Sequence, residues 1–183
     1  LLQVLEERKV TIGSYDIDFP ADLIFIGSMN PLDFAGTEKL SEVLLDRFDI
    51  IYMSYPETLE IEKEIVNKKG KKLNITFQDS LLNKAILFIR NLREYKDIER
   101  APSVRASIGL YERAQSNALL NNHKEVTFDD IKEAIISVLS HRITLKPSVK
   151  YLTDVNKFIE NELKDFLEKK HSLDETDKSG DLL

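Results

Sequence analysis

The stretch from Asp22 to Pro56 constrains this chain most. Leu23 to Ile26 is an apolar run of strand length that passes through Gly27 and Ser28 into Met29-Asn30-Pro31. Proline lacks the N–H a ladder needs, so the strand ends there and Asn30 stands at its carboxyl edge. In an open α/β sheet that edge is where ligands sit. Beyond a loop containing Gly36-Thr37, residues Leu40, Val43 and Leu44 mark one face of a short helix. Leu45-Asp46-Arg47-Phe48-Asp49 then leads into a second expected strand, Ile50 to Met53. An amide, Asn30, and a guanidinium, Arg47, are thereby expected on rigid elements.

Before this stretch, Lys9 to Phe19 alternates apolar and polar residues around Gly13-Ser14, the pattern of a hairpin. After it, residues 56–70 read as a helix with Ile61, Ile65 and Val66 inward and Lys68-Lys69-Gly70 at its end. The polar run Gly70 to Asn74 is the expected domain boundary. Asp79 or Ser80 is placed to cap a helix with Leu82, Ala85, Ile86, Ile89 and Leu92 on one stripe. A second helix opens near Ser103, carries Ser107, Leu110, Tyr111, Ala114 and Ala118 inward, and ends at Asn121-Asn122, asparagine tolerating a left-handed residue. Thr127 with Asp130 forms a capping box for a third, with Ile131, Ala134, Ile135 and Val138 inward. Three helices with little else make a small bundle. Leu152, Val155, Ile159, Leu163 and Phe166 keep one face of a tail helix, and from Ser172 the polar, acidic end is expected to be disordered.

Composition narrows the function classes. With 42% apolar residues and 8% aromatics the 183-residue chain can bury a core, as one domain or two small ones. Its 26 basic against 32 acidic residues give a net charge of −6, which disfavours a nonspecific nucleic-acid partner. There is no cysteine, hence no disulfide framework, thiolate metal site or thiol nucleophile. No apolar run approaches the roughly 20 residues of a membrane span, no secretory signal is evident, and a cytoplasmic origin is expected. His123, His141 and His171 lack metal-ligand spacing, and Glu57, Glu60, Glu62 and Glu64 read as a solvated helix face. The chain begins at Leu1 within what reads as a helix and is expected to be part of a longer protein.

The ordered set strand, MNP, GT, DRFD, strand, YP closely resembles the sensor-one and arginine-finger region of AAA+ ATPases of the MoxR and magnesium-chelatase group. Residues 101–142 resemble the helical lid of the same ATPases, opening on Arg105 and closing on His141-Arg142. Val104 stands where the family often has proline, and Asn122-His123 where Gly-Arg is usual. The resemblance implies an α/β plus all-α fold: residues 1–68 as the C-terminal part of the nucleotide-binding core, 69–145 as the lid, 146–171 as a tail helix, with 172–183 disordered.

It further implies an ATPase that binds Mg-ATP and acts as a homo-oligomer; this segment alone is expected to be inactive, since no GxxxxGK[ST] loop or Asp-Glu strand occurs in it. By the same resemblance Asn30 is the sensor-one residue, Arg47 the finger reaching the nucleotide of the adjacent subunit in a hexameric ring, and Arg105 the sensor-two arginine. Magnesium ligands are expected upstream. MoxR-like proteins remodel protein clients, commonly with partners carrying von Willebrand factor A domains, and no membrane is involved. A metal-insertion motor, a replicative-helicase-like motor and a non-catalytic oligomerisation or adaptor module remain alternatives. The turn Gly13-Ser14-Tyr15-Asp16 is not basic, which weighs against the helicase.

Overall fold

The structure, a computed structural model, describes residues 10–12, 15–17, 24–29 and 41–179. The chain divides into two units, Leu1–Met53 and Ser54–Leu183.

In the first unit, strands β1 (Val10–Ile12) and β2 (Tyr15–Ile17) pair antiparallel with Val10 opposite Ile17 and Ile12 opposite Tyr15. The expected hairpin is therefore formed by its two strands. Helix α1 (Glu42–Leu45) is a single turn capped by the Ser41 hydroxyl, which accepts from the Leu44 N–H at 3.3 Å. Two expectations fail here. Residues 24–29 and 50–53 form no strand, although their apolar composition favours one. A strand needs a neighbour to take its N–H and C=O groups, and among the described residues neither run has one. Ile24, Ile26, Ile51, Tyr52 and Met53 are exposed as a result.

The second unit is helical because its apolar residues recur at the helical period and its termini are capped. Helix α2 (Leu59–Lys69) starts at Thr58, whose hydroxyl accepts from the Ile61 N–H, and has Glu60 and Glu62 at its positive end and Lys68 and Lys69 at its negative end. Helix α3 (Asp79–Arg93) begins after Gln78 without a side-chain cap. Neither Asp79 nor Ser80 caps it: Asp79 is its first residue, and its carboxylate pairs with Lys63 of α2 at 2.7 Å. Helix α4 (Val104–Leu120) opens at Ser103 and ends at Asn121, and Asn122 follows with φ 57°, the left-handed residue expected there. Helix α5 (Phe128–Leu139) carries the full capping box between Thr127 and Asp130. A short antiparallel pair, β3 (Ile98–Arg100) with β4 (Thr144–Leu145), adds a piece of sheet that the three-helix expectation lacked.

The stripes predicted for α3, α4 and α5 all point inward. Ile89, Leu92, Ala106, Ala114, Ile131, Ala134 and Leu139 form the centre of the core. Burying each large aliphatic side chain contributes about 1.5–3 kcal/mol. After the single turn α6 (Pro147–Lys150), helix α7 (Val155–Ser179) lays Phe158, Ile159 and Leu163 onto that core. It runs to Ser179, beyond the expected end at 171 and into the stretch expected to be disordered. No glycine or proline interrupts the sequence before Gly180, so no local breaker stops it.

Helix α2 belongs to the second unit, so the division falls after Met53 and not at residue 68. Val66 of α2 packs with Leu82, Ile86 and Tyr111 in a second small cluster. The inward face of α2 also differs from expectation: Ile61 is exposed while Glu62 is fully buried.

Candidate functional site

Of the three side chains predicted to face a nucleotide, Asn30 lies outside the described residues. Arg47 and Arg105 lie in different units.

Arg47 sits in the turn after α1, one residue past the C-cap Asp46. It is half-buried, and its Nη1 donates to the Val43 carbonyl one turn back. Its neighbour Phe48 packs against Phe25 with ring centroids 5.6 Å apart. That contact brings the apolar run before Asn30 beside the turn that carries Arg47, so two of the recognisable sequence pieces meet within one unit.

Arg105 occupies the first turn of α4. Its backbone N–H is taken by the Ser103 hydroxyl at 3.3 Å, while its side chain is exposed. Among the described residues the guanidinium has no hydrogen-bond or ion-pair partner. A cation there opposes the positive end of the helix, a disfavour of about 0.3–1 kcal/mol that an anion would reverse.

Around the start of α4 lies a polar network that the sequence did not disclose. Glu62 of α2 is completely buried. Arg93 of α3 grips it through two contacts of 2.7 Å, Nη1 to Oε2 and Nη2 to Oε1, and Arg90 adds a third at 3.2 Å. The Ser107 hydroxyl of α4 donates to Oε1 at 2.5 Å. Burial pushes the Glu62 carboxyl up, but Arg93, Ser107 and Arg90 together outweigh it and hold the group below its ordinary range. The two arginines reach further. Arg93 Nε donates to the Pro102 carbonyl at 2.9 Å, and its guanidinium lies 4.6 Å from the centre of the Tyr55 ring. Arg90 donates to the carbonyls of Pro56, Glu57 and Thr58. An arginine pair spaced i, i+3 and a glutamate four residues before an inward valine were the available signals.

A second buried carboxylate, Asp130, takes the Thr127 N–H at 2.8 Å, the Thr127 hydroxyl at 2.7 Å and the Asn121 amide at 3.1 Å. His123 Nδ1 lies 2.9 Å away. Burial pushes its carboxyl up, and these partners override that and bring it down to about 2. His123 thus occupies a structural pairing at the position where the resembled family usually has arginine. Between α3, α5 and α7 lies a cavity of about 320 Å³ lined by apolar side chains and Lys84. It holds no pair of groups suited to acid–base work. Among the described residues no three His, Cys, Asp or Glu side chains are placed to hold a metal ion, and no helix is long and apolar enough to cross a membrane.

Residues 93–160 match the family model of the AAA lid domain. The chain is 28% identical over 175 residues to Chaperone MoxR1 of Mycobacterium tuberculosis, covering 79% of this chain and 46% of that protein. It is 27% identical over 173 residues to the uncharacterised protein YeaC of Bacillus subtilis, covering 82% and 54%. The chain therefore spans about half the length of these curated relatives. A crystal structure of a candidate ATPase from Cytophaga hutchinsonii aligns with a TM-score of 0.45 at 24% identity, covering 89% of this chain and 59% of that one. The fold fits an α/β part with a helical lid, and over 79% of its length the chain is similar to Chaperone MoxR1.

Proposed function

We propose that this chain supplies the sensing and finger side of an ATP-hydrolysing site in a MoxR-type AAA+ ring. Transfer of a γ-phosphoryl group to water spreads negative charge over its oxygens and needs an aligned nucleophile, so the useful groups are fixed cations and a polar orienter. Asn30 takes the orienting role, an amide able to bond phosphate or water without change of charge. Arg47, a planar fork that is always charged, suits a phosphoryl group presented by the adjacent subunit. Arg105 contacts the γ-phosphate from the lid. The roles of these three side chains do not depend on where the magnesium of Mg-ATP is held.

The ring is read as a cytoplasmic hexamer that remodels a protein client, with a von Willebrand factor A domain protein as the expected partner. The name Chaperone MoxR1 favours this over metal insertion.

The observation that carries the reading is the exposed guanidinium of Arg105, without a partner among the described residues, in the first turn of a helix within the matched lid. Its test is the affinity of the full-length protein for a non-hydrolysable imido analogue of ATP and for ADP. Arg105→Ala should weaken the analogue by roughly tenfold, the scale of one charge-assisted contact, and leave ADP little changed. Equal loss of both nucleotides, or of neither, would remove Arg105 from the γ-phosphate.

A further inference from the structure

We propose that the buried Glu62 network is a positioning device for Arg105, with the Ser107 hydroxyl as the pin that sets the rotation of α4. The inference rests on the role given to Arg105 above and adds how that arginine is aimed.

Arg105 is gripped from both sides in sequence. Three residues before it, the Pro102 carbonyl accepts from Arg93 Nε at 2.9 Å. Two residues after it, Ser107 donates to Glu62 at 2.5 Å. Arg93 and Glu62 are joined to each other by two contacts of 2.7 Å. The entry and the first turns of α4 are thus tied to one buried centre through two independent points.

The geometry decides what such ties can do. Residues two apart on a helix lie about 200° apart around its axis at 3.6 residues per turn, so with Ser107 pinned inward Arg105 faces out. A rotation of α4 that re-aimed Arg105 would pull the Ser107 hydroxyl from a buried carboxylate, leaving a lone pair unsatisfied in a dry site. The two discrete arrangements, bonded or broken, make the aim of Arg105 fixed and not graded.

The same centre holds the segment entering α2. Arg90 donates to three successive carbonyls, Pro56, Glu57 and Thr58, and Arg93 lies over Tyr55. These residues open the second unit. Displacement of this segment would therefore be felt at Glu62 and passed to Ser107, which gives the entry to the lid a physical connection to Arg105. The contacts to Pro102 and Ser107 satisfy the buried Arg93 and Glu62 and, by their places in the sequence, bracket Arg105.

A double-mutant cycle in the full-length protein tests this, read as affinity for the imido analogue of ATP. Ser107→Ala keeps the Glu62–Arg93 contacts and removes only the pin. It should weaken the analogue about three- to tenfold, the net range of a typical hydrogen bond, with ADP unchanged. In an Arg105→Ala background the same change should have no further effect. Glu62→Gln, of the same shape without the charge, should behave alike in the cycle, and thermal melts of all variants separate folding from aim. Losses that multiply across the cycle, or a Ser107→Ala protein that binds the analogue as the wild type does, would overturn the positioning role while leaving Arg105 in place. An Arg105→Ala protein with unchanged affinity would instead overturn the reading of Arg105 and this inference with it.

Discussion

At the scale of single residues, the buried carboxylates show which parts of a charge pattern a sequence reveals. Asp130 was legible because Thr127 lies three residues before it and a capping box has a fixed spacing. Glu62 was not, because four glutamates within eight residues look alike until something buries one of them. Its partners, Arg90 and Arg93, come from another helix, and no local rule links positions so far apart. Asp130 yields a pH prediction. Its carboxyl is held at about 2 in the folded protein against an ordinary value of 3.8, so its contribution to stability is complete above the ordinary value and is lost as the pH falls through the folded one. In chemical denaturation, Asp130→Asn should destabilise the protein most near neutrality, and the gap from wild type should close as the pH approaches about 2. A gap that is constant with pH would show that the charge of Asp130 is not what holds the start of α5.

At the scale of elements, the helices and the strands of the hairpin within Lys9 to Phe19 were legible, and the strands expected from the two apolar runs were not. Helix α4 begins after Ser103 and ends before Asn122 as the caps foretold, because a helix satisfies its own backbone and its signals are local. The runs at 24–29 and 50–53 have strand composition, but a strand is completed by residues elsewhere in a chain. The expected end of the tail helix was likewise misjudged, since polarity marks exposure and not the absence of helix. Two glycines give opposite predictions. At Gly70, which follows α2, an added Cβ would lie 2.7 Å from Tyr111 Cδ1 and 2.7 Å from the Val66 carbonyl oxygen. A backbone atom cannot swing aside, so Gly70→Ala should cost on the order of 1–3 kcal/mol. At Gly109, inside α4, the Cβ would meet Val138 Cγ1 at an ordinary 3.5 Å. Gly109→Ala should therefore stabilise by about 1 kcal/mol through helix propensity. Urea denaturation of the two variants beside the wild type checks both signs, and a stabilised Gly70→Ala would contradict the packing described for α2.

At the scale of the whole molecule, the division after Met53 puts α2 in the second unit, ahead of the boundary expected from the polar run at Gly70 to Asn74. Polarity there is real but does not mark a break. Glu112 accepts the Lys71 N–H at 2.7 Å, and Gln115 accepts the Leu73 N–H and donates to the Lys71 carbonyl. The connector is bound along α4 by side chains that sit more than forty residues away, a long-range arrangement that composition cannot disclose. The candidate site is an expectation from ordered motifs, each carrying one polar side chain, while the network joining Glu62, Arg93 and Ser107 became visible only in three dimensions.

The most direct test of the account is ATP turnover by mixed subunits. Arg47→Ala in the full-length protein should lower turnover by roughly 10³–10⁵-fold, the scale of an arginine finger, with nucleotide affinity largely kept. Mixing it with a subunit whose phosphate-binding loop is disabled but whose Arg47 is intact should restore part of the activity, since each then supplies what the other lacks. Near-normal turnover by Arg47→Ala alone, or no recovery on mixing, would contradict a finger acting between subunits.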